Sequence, residues 1–328
     1  MSGRNFSFLS YGMGVLFLLS AMTEVQALPK CLHVMSYHQG YEWNDGIEAG
    51  VENVLRGKCQ LRKVYMDSKR NTSPKFIKKM ALRAKLVIED YKPDIVIVSD
   101  DNASRYLVQA FYKNSEIPFV FNGVNWTAEV YGYPYKNVTG MVEVAPVMTM
   151  LEIARRNVGN VQDVAFLSAD VLTEHKDYKY YERIYGHMGI KVHPLFVKNM
   201  QQWKEGFIKA QESDFIILGN NAGVNDWDNS KALTWVNNLG KQLTLTTYQW
   251  MMPFTMLGVS KVAAEQGEWA AEVALEVLAG TNIADIPITI NRRWLFYQNK
   301  LLLLKSGIQI DNATRQKAIS NKWTYGQN

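Results

Sequence analysis

Short runs of apolar residues alternate along this chain with segments whose apolar positions recur every three to four residues. The first pattern predicts strands of a parallel sheet buried on both faces, the second amphipathic helices packed against them. The clearest runs are residues 94–102 (DIVIVSDDN) and 214–221 (DFIILGNN), 120 positions apart. Each is an acidic residue, an apolar stretch, one small residue, then a carboxylate or amide pair. Strands of this kind open into polar loops at their carboxyl ends, which is where open α/β sheets bind ligands. The repetition predicts two similar lobes whose polar strand ends face one cleft.

The same reading extends over most of the chain. In the first half, strands are predicted at 32–37, 61–66, 95–99 and 117–122, with helices at 44–55, 73–91 and from 102 or 103 to 113. Ser73-Pro74 is a favourable helix start, with serine as cap and proline at the first helical position. Residues 138–144 read as a link into the second lobe, followed by a helix at 146–157. The second half repeats the alternation: strands at 164–168, 191–197, 215–218 and 243–247, helices at 174–188, 202–211 and 230–239. The strand centres Val34, Val64, Ile97 and Val120 correspond in order to Phe166, Phe196, Ile217 and Leu245, at offsets of 132, 132, 120 and 125. Strand–helix alternation implies parallel sheets with right-handed crossovers. A helix at 263–278 stops at Gly280, 286–290 is extended, 299–306 forms a short helix, and 312–328 is a polar tail.

The amino terminus has a different pattern. Arg4 precedes an apolar core at 11–21, and Val25-Gln26-Ala27 ends on a small residue. This is the pattern of a secretory signal peptide cleaved near Ala27, and the core is short for a membrane span. The expected organisation is thus a signal peptide at 1–27, an N-terminal α/β lobe at 28–140, a C-terminal α/β lobe at 141–251, and a return segment at about 252–328 that crosses the hinge. The net charge of +5 is dispersed along the chain, which argues against a dedicated nucleic-acid or anionic-membrane surface. The only two cysteines, Cys31 and Cys59, lie near the starts of the first two strands and can pair in an oxidising compartment. Two thiolates alone do not make a structural zinc site, and the five histidines fall at no metal-ligand spacing.

No nucleophile-elbow, zinc-protease or phosphate-loop motif occurs, so the chain reads as a binder without cofactor. Its candidate ligand contacts lie at the strand exits. The first exit, 36–43 (SYHQGYEW), supplies Ser36, Tyr37, Tyr41 and Trp43, aromatic walls with fixed polar groups. The third supplies Asp101 and Asn102, for which capping of the next helix competes with ligand contact. The fourth supplies Asn122, Asn125 and Trp126, amides and a stacking face around Gly123. The second lobe supplies Asp170, Asn221, Gln249 and Trp250.

Several segments together resemble one family. They are 92–98 (KPDIVIV), 117–124 (IPFVFNGV), Asn137-Val138-Thr139-Gly140, Glu265-Gln266-Gly267 through Ala279-Gly280, and Ile286-Pro287. In order and spacing the chain resembles the periplasmic substrate-binding proteins of ABC transporters, in the subgroup related to tryptophan- and phenylalanine-binding components. The resemblance implies a type I periplasmic-binding-protein fold, two Rossmann-like lobes joined by three hinge crossings. It also implies that Ser36, Asp101, Asn122, Asn125, Asp170 and Asn221 lie at or near the cleft. The aromatic loop at 37–43 and the segment 248–253 (YQWMMP) depart from that pattern and resemble the sensor-associated branch of the family. The expectation is therefore a monomeric, exported periplasmic binder of a small polar organic ligand, amino-acid-like in the first instance, that closes by hinge motion and engages an ABC permease. Two alternatives stand beside it: a periplasmic sensor feeding a membrane histidine kinase or cyclase, and a secreted α/β enzyme with Asp101 or Asp170 as acid or base.

Overall fold

The computed structural model describes residues 1, 3 and 27–320, so the signal-peptide reading and the last residues of the tail fall outside the described residues. In chain order the first lobe contains β1 (Lys30–Met35), α1 (Glu42–Leu55), β2 (Gln60–Tyr65), α2 (Pro74–Tyr91), β3 (Ile95–Ser99), α3 (Asp100–Ala103), a π turn (Ser104–Val108), α4 (Gln109–Phe111), β4 (Phe119–Asn125) and β5 (Val138–Glu143). The second lobe follows with α5 (Val147–Val158), β6 (Asp163–Ala169), α6 (Leu172–Gly186), β7 (Lys191–Val197), α7 (Met200–Ala210), β8 (Phe215–Leu218), α8 (Asn229–Leu239), β9 (Leu243–Thr246) and β10 (Leu257–Lys261). The chain returns to the first lobe for α9 (Ala263–Leu278) and β11 (Thr289–Ile290). It then joins the second lobe again through β12 (Trp294–Gln298), α10 (Lys300–Ser306), α11 (Asn312–Lys317) and β13 (Ile319–Ser320).

Two sheets result. The first has strand order β11-β5-β4-β3-β1-β2 and every pair in it is parallel. The second has order β13-β12-β10-β9-β8-β6-β7, with one antiparallel pair, β10 with β12. Full burial of β3 and β8 explains their unbroken apolar runs: helices cover both faces, so neither side can be polar. Local chemistry sets the helix starts. Ser73 caps α2 through Phe76 N at 3.3 Å, while Asn199 and Asp228 cap α7 and α8.

Four details differ from the sequence-based expectation. The helix after β3 begins at Asp100, earlier than Asn102, and is interrupted by the π turn; the Ser36 hydroxyl reaches it from another strand to accept from Ala103 N at 2.8 Å. Residues 138–143, read as a link, form a fully buried strand paired with β4. The β10 and β12 strands went unread because Gly258 interrupts the first and Arg292-Arg293 directly precede the second, which breaks their apolar patterns. The return segment 252–328 is divided: α9 packs on the first lobe and β11 joins its sheet, whereas β10, β12 and β13 belong to the second sheet, with α11 and β13 lying in the predicted tail.

Close packing of α1 on α9 ties the returning helix to the first lobe. A Cβ at Gly50 would lie 2.4 Å from Ala264 O, and one at Gly267 would lie 2.0 Å from Ile47 O, so backbone meets backbone with no side chain between. Cys31 and Cys59 form a disulfide with Cα atoms 6.0 Å apart that closes a 28-residue separation around α1. Gly267→Ala is expected to prise α1 from α9 and lower unfolding free energy by about 2–3 kcal/mol, read as a lower urea midpoint at unchanged slope. Replacing both cysteines by alanine is expected to remove about 3 kcal/mol through the freer unfolded chain, measured by the same titration.

Candidate ligand-binding site

Three chain crossings, at 143–147, 261–263 and 290–294, join the lobes, and each is bonded to the others. Glu143 and Lys261 form an ion pair between the first and second. Asn291 links the third to the first, accepting from Val144 N at 2.7 Å and donating to Val144 O at 3.3 Å. Glu265, in the first turn of α9, accepts from Arg292 N at 2.8 Å and Arg293 N at 2.9 Å. Burial raises the Glu143 carboxyl pKa even though Lys261 opposes the shift. Burial also works against the Lys261 charge, but Glu143 and Asp177 outweigh it and raise that pKa.

The first lobe builds one wall from the exits of β1, β3 and β4. Tyr37 and Tyr41 stand edge to face with centroids 5.4 Å apart, and the Lys69 ammonium sits 5.1 and 5.0 Å from their rings. Lys261 lies 5.3 Å from the Trp43 ring centroid. Asp101 accepts from Tyr131 Oη at 2.6 Å and from Asn125 Nδ2 at 2.8 Å. Asp100 is 1% exposed, holds a left-handed φ of 69°, and its Oδ2 has no hydrogen-bond partner among the described residues. Burial, then Glu143 and Asp101, push its pKa well above the usual carboxylate range, against Lys69 and Trp43.

The opposite wall is α6 with the exit of β9. Glu174 and Asp177 lie one turn apart, and the Tyr248 hydroxyl is 2.7 Å from the first and 3.3 Å from the second. Glu174 also accepts from Ser168 Oγ at 2.5 Å and Asn220 N at 3.1 Å. Burial raises both carboxyl pKa values; Asp177 adds to the shift of Glu174, whereas the Trp126 and Tyr248 hydrogen bonds and the Lys261 charge oppose that of Asp177. Trp126 spans the lobes: its indole lies 3.9 Å from the Tyr180 ring at 6° between planes, and its Nε1 donates to Asp177 at 2.9 Å. Glu143 responds to Asp101 from one wall and to Asp177 from the other, so the acidic groups converge at the hinge end of the cleft.

The structure brings together Tyr37, Tyr41, Trp43, Asp101, Asn125 and Trp126. Others that the sequence nominated are engaged elsewhere. Ser36 is fully buried, its hydroxyl donating to Ser99 O at 2.6 Å and accepting from Ala103 N, so it positions a helix. Asn102 donates to Ser68 Oγ at 2.8 Å. Asn122 is fully buried in the first sheet, with neither amide atom hydrogen-bonded among the described residues. Asp170 is bonded to His175 at 2.6 Å and Lys198 at 3.3 Å, in a groove on α7 rather than in the acidic cluster. Those partners hold its carboxyl below the usual range, which does not suit a general acid at neutral pH. Gln249 is exposed and accepts from Tyr297 Oη at 3.3 Å, Trp250 lies against Tyr248, and the half-buried Asn221 turns the loop to Val224. Sequence reasoning missed Lys69, Glu143, Tyr131, Glu174, Asp177, Tyr180 and Lys261. Only Glu174 and Asp177 carried a signal, acids at helical spacing just after a strand exit. Among the described residues no group of three or more His, Cys, Asp or Glu side chains is placed to hold a metal ion.

Two lobes of parallel sheet, three crossings and a cleft at the strand exits define a type I periplasmic-binding-protein fold. Known structures share it at low identity. A conserved domain protein from Vibrio cholerae aligns with TM-score 0.59 at 16% identity, over 90% of this chain and 99% of its own. An ABC domain in complex with L-Trp from Streptococcus pneumonia aligns with TM-score 0.58 at 16% identity, over 89% and 99%. A ligand-free, open substrate-binding protein with adhesive properties from Clostridium difficile aligns with TM-score 0.70 at 13% identity, over 90% and 99%. No curated protein sequence matches this chain. The family model for ABC transporter substrate binding proteins matches residues 37–322, and the chain belongs to that family.

An acid with a raised folded pKa binds protons on folding, so Asp100 weakens the fold as pH rises from its unfolded value of about 4 through its folded one. Asp100→Asn, which tolerates the left-handed backbone, is expected to stabilise the protein at pH 8 by about 1 kcal/mol or more. The gain should vanish below about pH 4, as paired urea titrations at the two pH values will read.

Proposed function

We propose that this protein is the exported, periplasmic solute-binding component of an ABC-type uptake system. It holds a small polar organic ligand with a flat or apolar part between its lobes, amino acids and related amino compounds being the first candidates, and presents the closed form to a membrane permease. One observation carries the reading: aromatic and carboxylate groups from both lobes converge at a bonded, three-crossing hinge. The groups there are suited to holding a molecule rather than to transforming it. Asp101 and Asp170, either of which an enzyme would use as acid or base, are each bonded to fixed partners. Ligand would shift the lobes toward the closed arrangement through contacts available only there.

Native mass spectrometry of the protein purified from its own periplasm is expected to show one unchanged small molecule per chain, and solution scattering a smaller radius of gyration with ligand than without. A bound compound converted to product on incubation would overturn the reading. Trp126→Ala, which removes the inter-lobe stack and indole hydrogen bond, is expected to weaken ligand binding about tenfold or more by calorimetry.

A further inference from the structure

We propose that the ligand is an organic cation, an ammonium on an aromatic or apolar body with no carboxylate of its own, and that Lys69 occupies its charge site between Tyr37 and Tyr41 when no ligand is bound. The proposal rests on the solute-binding reading above and names the ligand's charge class.

Two independent observations carry it. First, the cleft already holds an ammonium in the manner a cationic ligand needs. Lys69 is an exposed residue on the loop after β2, yet its Nζ lies 5.1 and 5.0 Å from two rings set edge to face. Such paired aromatic faces recognise ammonium groups. Second, acidic side chains outnumber cations around that position. Asp100, Asp101 and Glu143 lie close enough to Tyr37 to act on its phenol, and Asp177, one turn from Glu174, acts on Glu143 from the second lobe. Of these, Glu143 is paired, with Lys261. The partners that hold Asp101, Glu174 and Asp177 are neutral: phenols, an amide, a hydroxyl, an indole and a backbone N–H. Asp100, 1% exposed, keeps Oδ2 without any hydrogen bond among the described residues. A buried carboxyl oxygen without a hydrogen-bond partner is costly, and a ligand ammonium beside it would supply a donor. A zwitterion would bring a carboxylate into this ring, where Lys261 is already engaged, and like charges there disfavour it.

The test is calorimetry on the full mature chain with probes sharing an indole but differing in charge: tryptamine, tryptophan and indole-3-acetate, with a phenylalkyl trimethylammonium as a second cation. Binding of at least one cation about tenfold or more tighter than tryptophan and indole-3-acetate is expected. Lys69→Gln, which removes the internal competitor, should tighten cation binding about threefold or more, and Asp100→Asn should weaken it about tenfold while the protein stays folded. Tryptophan or indole-3-acetate binding as well as either cation, or neither cation binding, overturns the proposal. Identification of the ligand released from periplasmic protein separates the two levels. A released zwitterion or anion overturns the cation assignment and leaves the solute-binding reading standing, whereas no released ligand and no response to any probe overturns both.

Discussion

The ion pair of Glu143 with Lys261 fixes the geometry on which the cleft depends. It joins the end of β5 to the end of β10, two strands of different sheets, where two of the three crossings between the lobes meet. Two charges removed from water are tolerated only together, because deleting either leaves an uncompensated charge in a poorly solvated place. The pair is therefore weak evidence for stability and stronger evidence for geometry, since it sets which strand ends face each other. The Asn291 and Glu265 bonds close the remaining two sides of the triangle, so rotation of one lobe on the other must be absorbed by the few residues between these anchors.

Everything on the two walls is arranged about that centre. Asp101 and Asp177 come from different lobes and both act on Glu143. Trp126 leaves β4 of the first lobe and lies flat on Tyr180 of the second, so the walls are also tied by an aromatic contact. Low solvent access strengthens each of these interactions and makes each unmatched group costly. Binding a molecule that supplies the missing partner is how such a site recovers that free energy, which is the physical basis for reading it as a receptor for solute.

Several features of the site run against the stability of the fold. Asp100 is a buried carboxyl group in a left-handed backbone conformation, and Trp126 has φ of 64°, a conformation that bulky side chains rarely adopt. Strain and unpartnered polar groups of this kind persist where surrounding structure over-determines them, and they gather at ligand sites. Here they lie at the exits of β3 and β4, the two strands whose ends line the first lobe's wall. The interior of β3, by contrast, is an unbroken apolar run, and β4 is apolar through Phe121 before Asn122 and Gly123 shift its register.

The chain alone determined its class of fold. Buried parallel strands need continuous apolar runs and their helices need a single apolar face, so both patterns are local and can be read directly; the α9 helix is bounded at the same residues in sequence and structure. Strand exits were legible for the same reason, which is how Tyr37, Tyr41, Trp43, Asp101, Asn125 and Trp126 could be nominated. What depended on long-range contact was not legible. Glu143 and Lys261 are 118 positions apart, and neither stands out until the crossings bring them together. Ser36 and Asp170 sit at exits as the pattern requires, yet a helix amide claims the first and a histidine and a lysine claim the second. Hydrophobic periodicity reports which face of an element is buried, whereas the partner a polar side chain meets is set by how separate elements pack, and only the tertiary structure decides that.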